Sequence, residues 1–252
     1  MKVTSIEIEL AAIDARWVVV GFGLDRMMDR LPALLRRLGP HSIWFPETTA
    51  MSLGVPRLSS MATSAYILVV NHDDGEAVSD ALRLAWSLAG SERLEMLIGV
   101  GQPAGPLSLP DGTLHLSLTE PACAEWVVAS LLLAVTSNGL IGIDFSDIRN
   151  CLHGAGPVRA WLWQGRSGQA VADAAGDFAR AATTARIPPA GVKGAMVITI
   201  VPPVWTLHDM VELSACVVLP ESADQTLAAF TDDGPAPVPA AVVFTYSLLQ
   251  AG

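Results

Sequence analysis

The spacing of apolar and polar residues predicts a chain of alternating strands and helices. Short apolar runs bounded by turn residues are typical of strands, and apolar positions three or four apart are typical of helices packed on a sheet. Strands are predicted at 6–10, 16–23, 41–45, 64–70, 94–100, 113–118, 158–165, 194–201 and 240–249. Helices are predicted at 24–38, 76–89, 121–137, 144–153, 168–183 and 206–218.

Two of these helices have unusual sequences. Pro32 falls inside 24–38, where it should kink the helix or delay its start, because proline lacks an N–H and clashes with the preceding turn. The segment 121–137 is apolar on nearly every side, which is typical of a helix buried between layers. The order of elements predicts an α/β fold: an N-terminal, mostly parallel, Rossmann-like sheet with helices on both faces, a central buried helix, and a smaller C-terminal α/β domain.

Composition narrows the class of protein. Of the 252 residues, 51% are hydrophobic and only 16% are charged, which favours a large core and a surface that associates with other proteins. The net charge of −10 argues against a nucleic-acid partner. No apolar stretch approaches the roughly 20 residues of a membrane span, and the N-terminus lacks a signal-peptide pattern. Three widely spaced cysteines indicate neither a disulfide framework nor a zinc site, so we expect a cytoplasmic protein.

The stretch "NGLIGIDFSDIRNCL" (138–152) contains two acidic residues at a predicted helix start, Asp144 and Asp147. Positions three apart share one face of a helix, so the two carboxylates can act together. Carboxylates in a first turn also stabilise a helix by about 0.3–1 kcal/mol through its dipole. The pattern alone leaves a structural and a chemical role open.

Three segments in order resemble one protein family. "GLIGIDFSDI" resembles the catalytic loop G-L-I-N-x-D-F-x-D-[VI] of the FtsZ branch of the tubulin superfamily. "GRSGQAVADAAGDFARAA" and "GVKGAMVITIVPPVWTLHDM" resemble the segments that follow in that family. The resemblance covers 136–249 and implies a tubulin/FtsZ-like fold. It would make 1–120 a degenerate nucleotide-binding-like domain, 121–138 the central helix and 139–252 the FtsZ-like C-terminal domain.

The nucleotide-binding turns of that family are only partly matched. "VVVGFGLDRMMDRL" occupies the place of its first glycine turn, with Gly21 and Gly23 as candidate nucleotide contacts; an ordinary strand–turn–helix junction is the alternative. The family's phosphate loop, G-G-G-T-G-[TS]-G, follows the next buried strand. Here that place contains Asn71, His72, two aspartates and Gly75, so Asn71 and Gly75 are the remaining candidates.

The two aspartates, Asp73 and Asp74, argue against a triphosphate at this turn. A phosphate loop works because small residues let backbone N–H groups converge on an anion at a helix N-terminus. Like charges about 4 Å apart cost on the order of 4 kcal/mol at a surface-like dielectric. We therefore expect the usual nucleotide site to be lost, and residues 72–74 to form a solvated turn that caps the next helix.

The resemblance also gives the paired aspartates a role in trans. In the family, the acids of the matching loop reach the nucleotide of the next subunit and polarise the attacking water. Carried over, Asp144 and Asp147 are the candidate catalytic residues, acting on a partner's nucleotide. Gly142 replaces the family's asparagine, so one polar contact to that neighbour is missing.

Three functions remain open. The first is a pseudo-GTPase of the cytoskeletal or cell-division type that self-associates or modulates a filament-forming partner, such as an active FtsZ-type GTPase. It needs no cofactor. The second is a divergent GTP hydrolase that polymerises with GTP and Mg²⁺, and the third is an α/β small-molecule binder. No metal site is predicted, because the histidines His41, His115, His153 and His208 lie in different elements without ligand spacing.

Overall fold

Two β-sheets, joined through one buried helix, form the framework of the protein in a computed structural model. The predicted strand at 6–10 lies outside the described residues. All structural statements concern residues 17–24, 28–38, 42–45, 65–89, 94–101, 105, 107–118, 123–136, 141–152, 158–187, 192–232, 234 and 236–246.

The first sheet contains five parallel strands in the order β2-β1-β3-β4-β5. Its two central strands are nearly continuous apolar runs, "WVVVGF" and "AYILVVN", as expected for strands covered on both faces. Helix α1 (Leu31–Leu38) lies on one face and helix α2 (Gly75–Leu88) on the other, so the predicted arrangement is confirmed. The strands are β1 (Trp17–Phe22), β2 (Ser42–Phe45), β3 (Ala65–Asn71), β4 (Leu94–Val100) and β5 (Leu114–Leu118).

Helix α1 begins seven residues later than its apolar stripe predicts, at Leu31 and not at residue 24. Pro32 then lies in the first turn, where its missing N–H would have had no helical acceptor. The N–H groups of Arg30 and Leu31 donate to Oε1 of Glu125, at 2.5 and 3.1 Å, and that of Leu31 also donates to the Met28 carbonyl. A distant buried carboxylate therefore caps this helix.

Glu125 belongs to the central helix α3 (Ala124–Thr136). Every described side chain of α3 is buried, from Ala124 to Ala134, which confirms the prediction from its all-round apolar sequence. One continuous core includes α3, the α1 face of the first sheet and one face of the second sheet. The domain boundaries proposed from the sequence stay a prediction.

The second sheet has four strands in the order β6-β9-β7-β8. Strand β9 is antiparallel to both neighbours, whereas β7 and β8 are parallel. Helices α5 (Val171–Ala185) and α6 (Leu207–Ser214) cover its outer face, and α4 (Phe145–Leu152) precedes its first strand. The strands are β6 (Arg159–Gln164), β7 (Gly194–Val201), β8 (Asp224–Thr231) and β9 (Ala240–Tyr246).

Strand β8 was not predicted. Its sequence, "DQTLAAFT", begins with polar residues and contains two alanines, and it lacks the alternation of polar and apolar residues that is typical of a half-buried strand. It forms because all eight of its residues pair with β7 at the edge of the sheet. Within the described residues, no helix is long and apolar enough to cross a bilayer.

Candidate functional site

The candidate site lies at the carboxyl ends of β1 and β3, where the strand order reverses direction. Such switch points are the usual ligand crevices of open parallel sheets. Gly21 is paired with Val69 inside the sheet, and Gly23 follows at the turn with φ +68°. A Cβ on Gly23 would lie 3.1 Å from Cβ of Asn71 and 2.9 Å from Cβ of Ala77. The two predicted turns therefore lie in direct contact.

The turn from Asn71 to Gly75 is closed by its own polar groups. The N–H of Asp73 donates to Oδ1 of Asn71 at 3.1 Å, and the N–H of Asp74 donates to the Asn71 carbonyl at 3.2 Å. This is the local side-chain-to-backbone pattern that asparagine favours in turns. The Asn71 amide oxygen is thus engaged within the turn. Gly75, the first residue of α2, is exposed and has open space around it.

Asp74 is the N-cap of α2. Its Oδ1 accepts the N–H groups of Glu76 at 3.0 Å and Ala77 at 3.1 Å, which confirms the predicted capping turn. These first-turn amides are the groups that would otherwise face a bound anion. The chain's own carboxylate occupies their donor positions, and exposed Asp73 and Glu76 add negative charge beside it.

The prediction of a solvated turn is wrong for His72, which is only 6% exposed. Its ring lies over the backbone of β4, where a Cβ on Gly99 would overlap it. The ring of His115, on β5, approaches it edge-to-face with centres 5.6 Å apart. Burial lowers the pKa of His72, while the Gly101 backbone and the Asp73 carboxylate act in the opposite direction. Burial, with the neighbouring His72, lowers the pKa of His115 to about 4.

Sequence analysis missed this histidine pair because its members are far apart along the chain. The predicted parallel sheet could have indicated the pair, because the strand order places the turn after β3 on the side of β4 and β5. No group of three potential His, Cys, Asp or Glu metal ligands occurs in the described part of the chain.

Asp144 and Asp147 form a second acidic group at the start of α4. The N–H of Asp147 donates to Oδ1 of Asp144 at 2.8 Å, and the N–H of Asp144 donates to Oδ2 of Asp147 at 2.9 Å. Both residues are exposed. Asp147 also lines a cavity of about 450 Å³ between α4 and the second sheet, together with Ile143, Asn150, Cys151, Asp224, Thr226 and Tyr246.

The described residues contain no hydrogen bond or ion pair between the Asp144–Asp147 group and the 71–75 turn. The structure brings the predicted nucleotide residues together at one edge of the first sheet, and places the predicted catalytic acids on a separate element.

Comparison with known proteins identifies the fold. No protein-family model matches the sequence, and no curated protein matches it either. Among solved structures, FtsZ W319Y from M. jannaschii is 13% identical with a TM-score of 0.59, covering 97% of this chain and 95% of that one. GDP-bound CetZ1 from Haloferax volcanii is 13% identical with a TM-score of 0.61, covering 94% and 95%.

A third structure, the GTPγS-bound protofilament of CetZ2 from Haloferax volcanii, is 13% identical with a TM-score of 0.59, and 94% of each chain is covered. The match extends over almost the whole chain in all three cases. The protein therefore has the FtsZ/tubulin fold, in its first sheet as well as in the C-terminal part where the motifs resemble that family.

Proposed function

We propose that the chain is an FtsZ-like protein of the tubulin superfamily that does not hydrolyse GTP in its own site and acts by association. Its site at the β1–β3 switch point corresponds to a nucleotide site that no longer binds nucleotide. It would work in the cytoplasm, in a cytoskeletal or cell-division process, with no cofactor of its own. The absence of disulfides among Cys123, Cys151 and Cys216 is compatible with that compartment.

One observation carries the proposal: Asp74 accepts the first-turn N–H groups of α2 with its own carboxylate. An arriving phosphate would have to displace this carboxylate and then remain beside it. It would also approach the exposed acids Asp73 and Glu76. Each like-charge contact at about 4 Å costs on the order of 4 kcal/mol at a surface-like dielectric. The turn therefore favours the Asp74 carboxylate over a bound phosphate.

Association is supported by exposed apolar residues on and near α6. Val204 is 85% exposed, and Leu207 and Val211 follow it at helical spacing with about half of their surface in solvent. Contiguous exposed apolar side chains are typical of protein interaction surfaces. One structural relative is described as an FtsZ dimer and another as a CetZ2 protofilament, and we extend that capacity for assembly to this chain.

Charge favours a different chain over a second copy as the partner. If the Asp144–Asp147 group faces the nucleotide edge of the next subunit, as the family resemblance implies, a second copy would present Asp73 and Glu76 to it. All four residues are acidic and exposed. An active FtsZ-type GTPase would instead present a nucleotide with its Mg²⁺. We therefore propose that this chain completes or modulates the site of such a partner at one end only.

Calorimetric titration with GTP and Mg²⁺ tests the loss of nucleotide binding. The wild type is compared with Asp73→Gly/Asp74→Gly, which frees the amides of α2, since glycine at an N-cap costs only about a few tenths of a kcal/mol. Asp73→Asn/Asp74→Asn is the matched control, because asparagine removes the charge but keeps the cap. We expect no binding by the wild type, and micromolar binding by the wild type would overturn the proposal.

The relation between Gly23 and Asn71 favours a second candidate, a divergent GTPase. The positive φ of Gly23 and its close approach to Asn71 place the two turns side by side at the switch point, where a nucleotide would have to lie. In that case wild-type titration would show binding, and hydrolysis would rise with protein concentration as polymers form. Binding without such a rise would indicate a small-molecule binder in place of a polymerising GTPase.

A further inference from the structure

The cavity beside Asp147 is acidic, and no basic residue of the described chain lines it. It measures about 450 Å³ and lies where α4 meets the first residues of β8 and the end of β9. Asp147 and Asp224 contribute exposed carboxylates to it. Neither carboxylate forms an ion pair with a lysine or arginine among the described residues. Two uncompensated carboxylates in one concave wall attract a positively charged group.

Tyr246 is the buried member of this lining. Its hydroxyl lies over the backbone of β7, where a Cβ on Gly194 would be 2.0 Å from it. Burial, and then Cys151 and Asp224, raise the pKa of Tyr246, so its phenol stays neutral at physiological pH. Lys193 hydrogen-bonds to Asp224 and Tyr246 through its backbone, and its exposed side chain does not line the cavity. The cavity therefore combines negative charge with a neutral aromatic wall.

The other lining residues narrow the kind of cation that fits. Ile143 is apolar, whereas Asn150 and Thr226 offer an amide and a hydroxyl oxygen as acceptors. A long basic side chain suits such a wall, because its aliphatic stem packs on apolar groups while its charged head keeps polar partners. Arginine suits it better than lysine, since the planar guanidinium carries five N–H donors and also stacks on aromatic rings.

We propose that the cavity receives an arginine side chain of the partner subunit, whose guanidinium pairs with Asp147 and Asp224. The inference rests on the proposed association and adds the chemistry of the surface that the partner presents. Asp147 belongs both to the Asp144–Asp147 group and to the cavity, so a subunit that meets the group also meets the cavity. Exposed ion pairs contribute little by themselves, which favours a side chain already held in an interface over a free cation.

Alkylation of Cys151 tests the cavity without a partner or a nucleotide. Cys151 is half-buried and lines the cavity, so an occupant should shield it from iodoacetamide. Mass spectrometry of the digested protein follows Cys151, with the half-buried Cys216, which is not part of this lining, as the internal reference. At matched ionic strength, N-acetylarginine amide should slow alkylation of Cys151 by more than about twofold once its concentration exceeds Kd. N-acetylcitrulline amide, its uncharged analogue, should not slow it.

Two charge variants and an NMR titration complete the test. Asp224→Asn should weaken the protection about two- to fivefold, whereas Asp173→Asn, at an exposed acid of α5, should leave it unchanged. Shifts of the Asn150 and Thr226 NMR signals with the arginine compound alone support the site even where Cys151 stays reactive. Equal protection by both compounds, or neither protection nor shifts, would overturn the proposal. Protection at micromolar concentrations would also overturn it, because the cavity would then be a small-molecule site. The GTP titration is a separate measurement, so the failure of one proposal is distinguishable from the failure of the other.

Discussion

Asp144 and Asp147 cap each other across the first turn of α4, each backbone N–H donating to the other's carboxylate. This reciprocal pair is the capping-box geometry, with aspartate in both positions. In each of the two exposed carboxylates, only one oxygen accepts a backbone N–H of this pair. The two aspartates therefore stabilise the start of α4, and the same hydrogen bonds hold both carboxylates in a defined orientation at the surface.

Asp144→Asn should abolish any stimulation of a partner's GTP hydrolysis while leaving the fold intact. Asparagine caps helices about as well as aspartate, so the free energy of unfolding should change by less than about 0.5 kcal/mol. The measurement is phosphate release by an FtsZ-type GTPase with increasing amounts of each variant. Asp173→Asn, an exposed first-turn acid of α5 outside any capping pair, is the control. Stimulation that survives Asp144→Asn would exclude the role in trans.

Gly23→Ala should destabilise the protein, and Gly75→Ala should not. Alanine at φ +68° costs about 1–2 kcal/mol, and its Cβ would also press on Ala77. Gly75 has nothing within 4 Å of its Cβ position, so alanine there should be neutral or stabilising by up to about 1 kcal/mol. Urea denaturation of the two variants measures the contrast, and equal stabilities would contradict both the positive φ of Gly23 and its close contact with Ala77.

Glu125→Ala should cost about 1–3 kcal/mol of unfolding free energy, because the part-buried N–H of Arg30 loses its acceptor and the N–H of Leu31 keeps only the Met28 carbonyl. Glu125→Gln retains an acceptor oxygen and should cost less. Chemical denaturation gives both values. If the two substitutions cost the same, the charge matters and the capping hydrogen bonds do not.

Asp209 should contribute stability that disappears in acid. Hydrogen bonds from the backbone and then the side chain of Thr206 hold the pKa of Asp209 below its ordinary value. A carboxyl with a lowered folded pKa stabilises the fold above its unfolded pKa and loses that effect as the pH falls through the folded value. The stability difference between wild type and Asp209→Asn should therefore be constant from neutral pH to about 5, and shrink below about 4. A difference that persists in acid would rule out the charged cap.

Much of the secondary structure followed from local patterns. The apolar runs of β1, β3 and β7 and the all-round apolar α3 could be assigned without contacts, because these segments are buried on every side. The capping role of Asp74 was also predictable, since an aspartate before an amphipathic run is a local signal. The position of α1 was not, because Glu125 caps it from a distant part of the chain.

The sequence by itself determined that an FtsZ-like set of segments follows an altered phosphate turn, because these are statements about neighbouring residues. Only the tertiary structure decided three other things. The edge strand β8 depends on pairing with β7 more than on its own propensity. The burial of His72 depends on the space above Gly99, and its meeting with His115 depends on the order of strands. Each is a contact between distant segments, and spacing along a chain carries no information on which strand lies beside which.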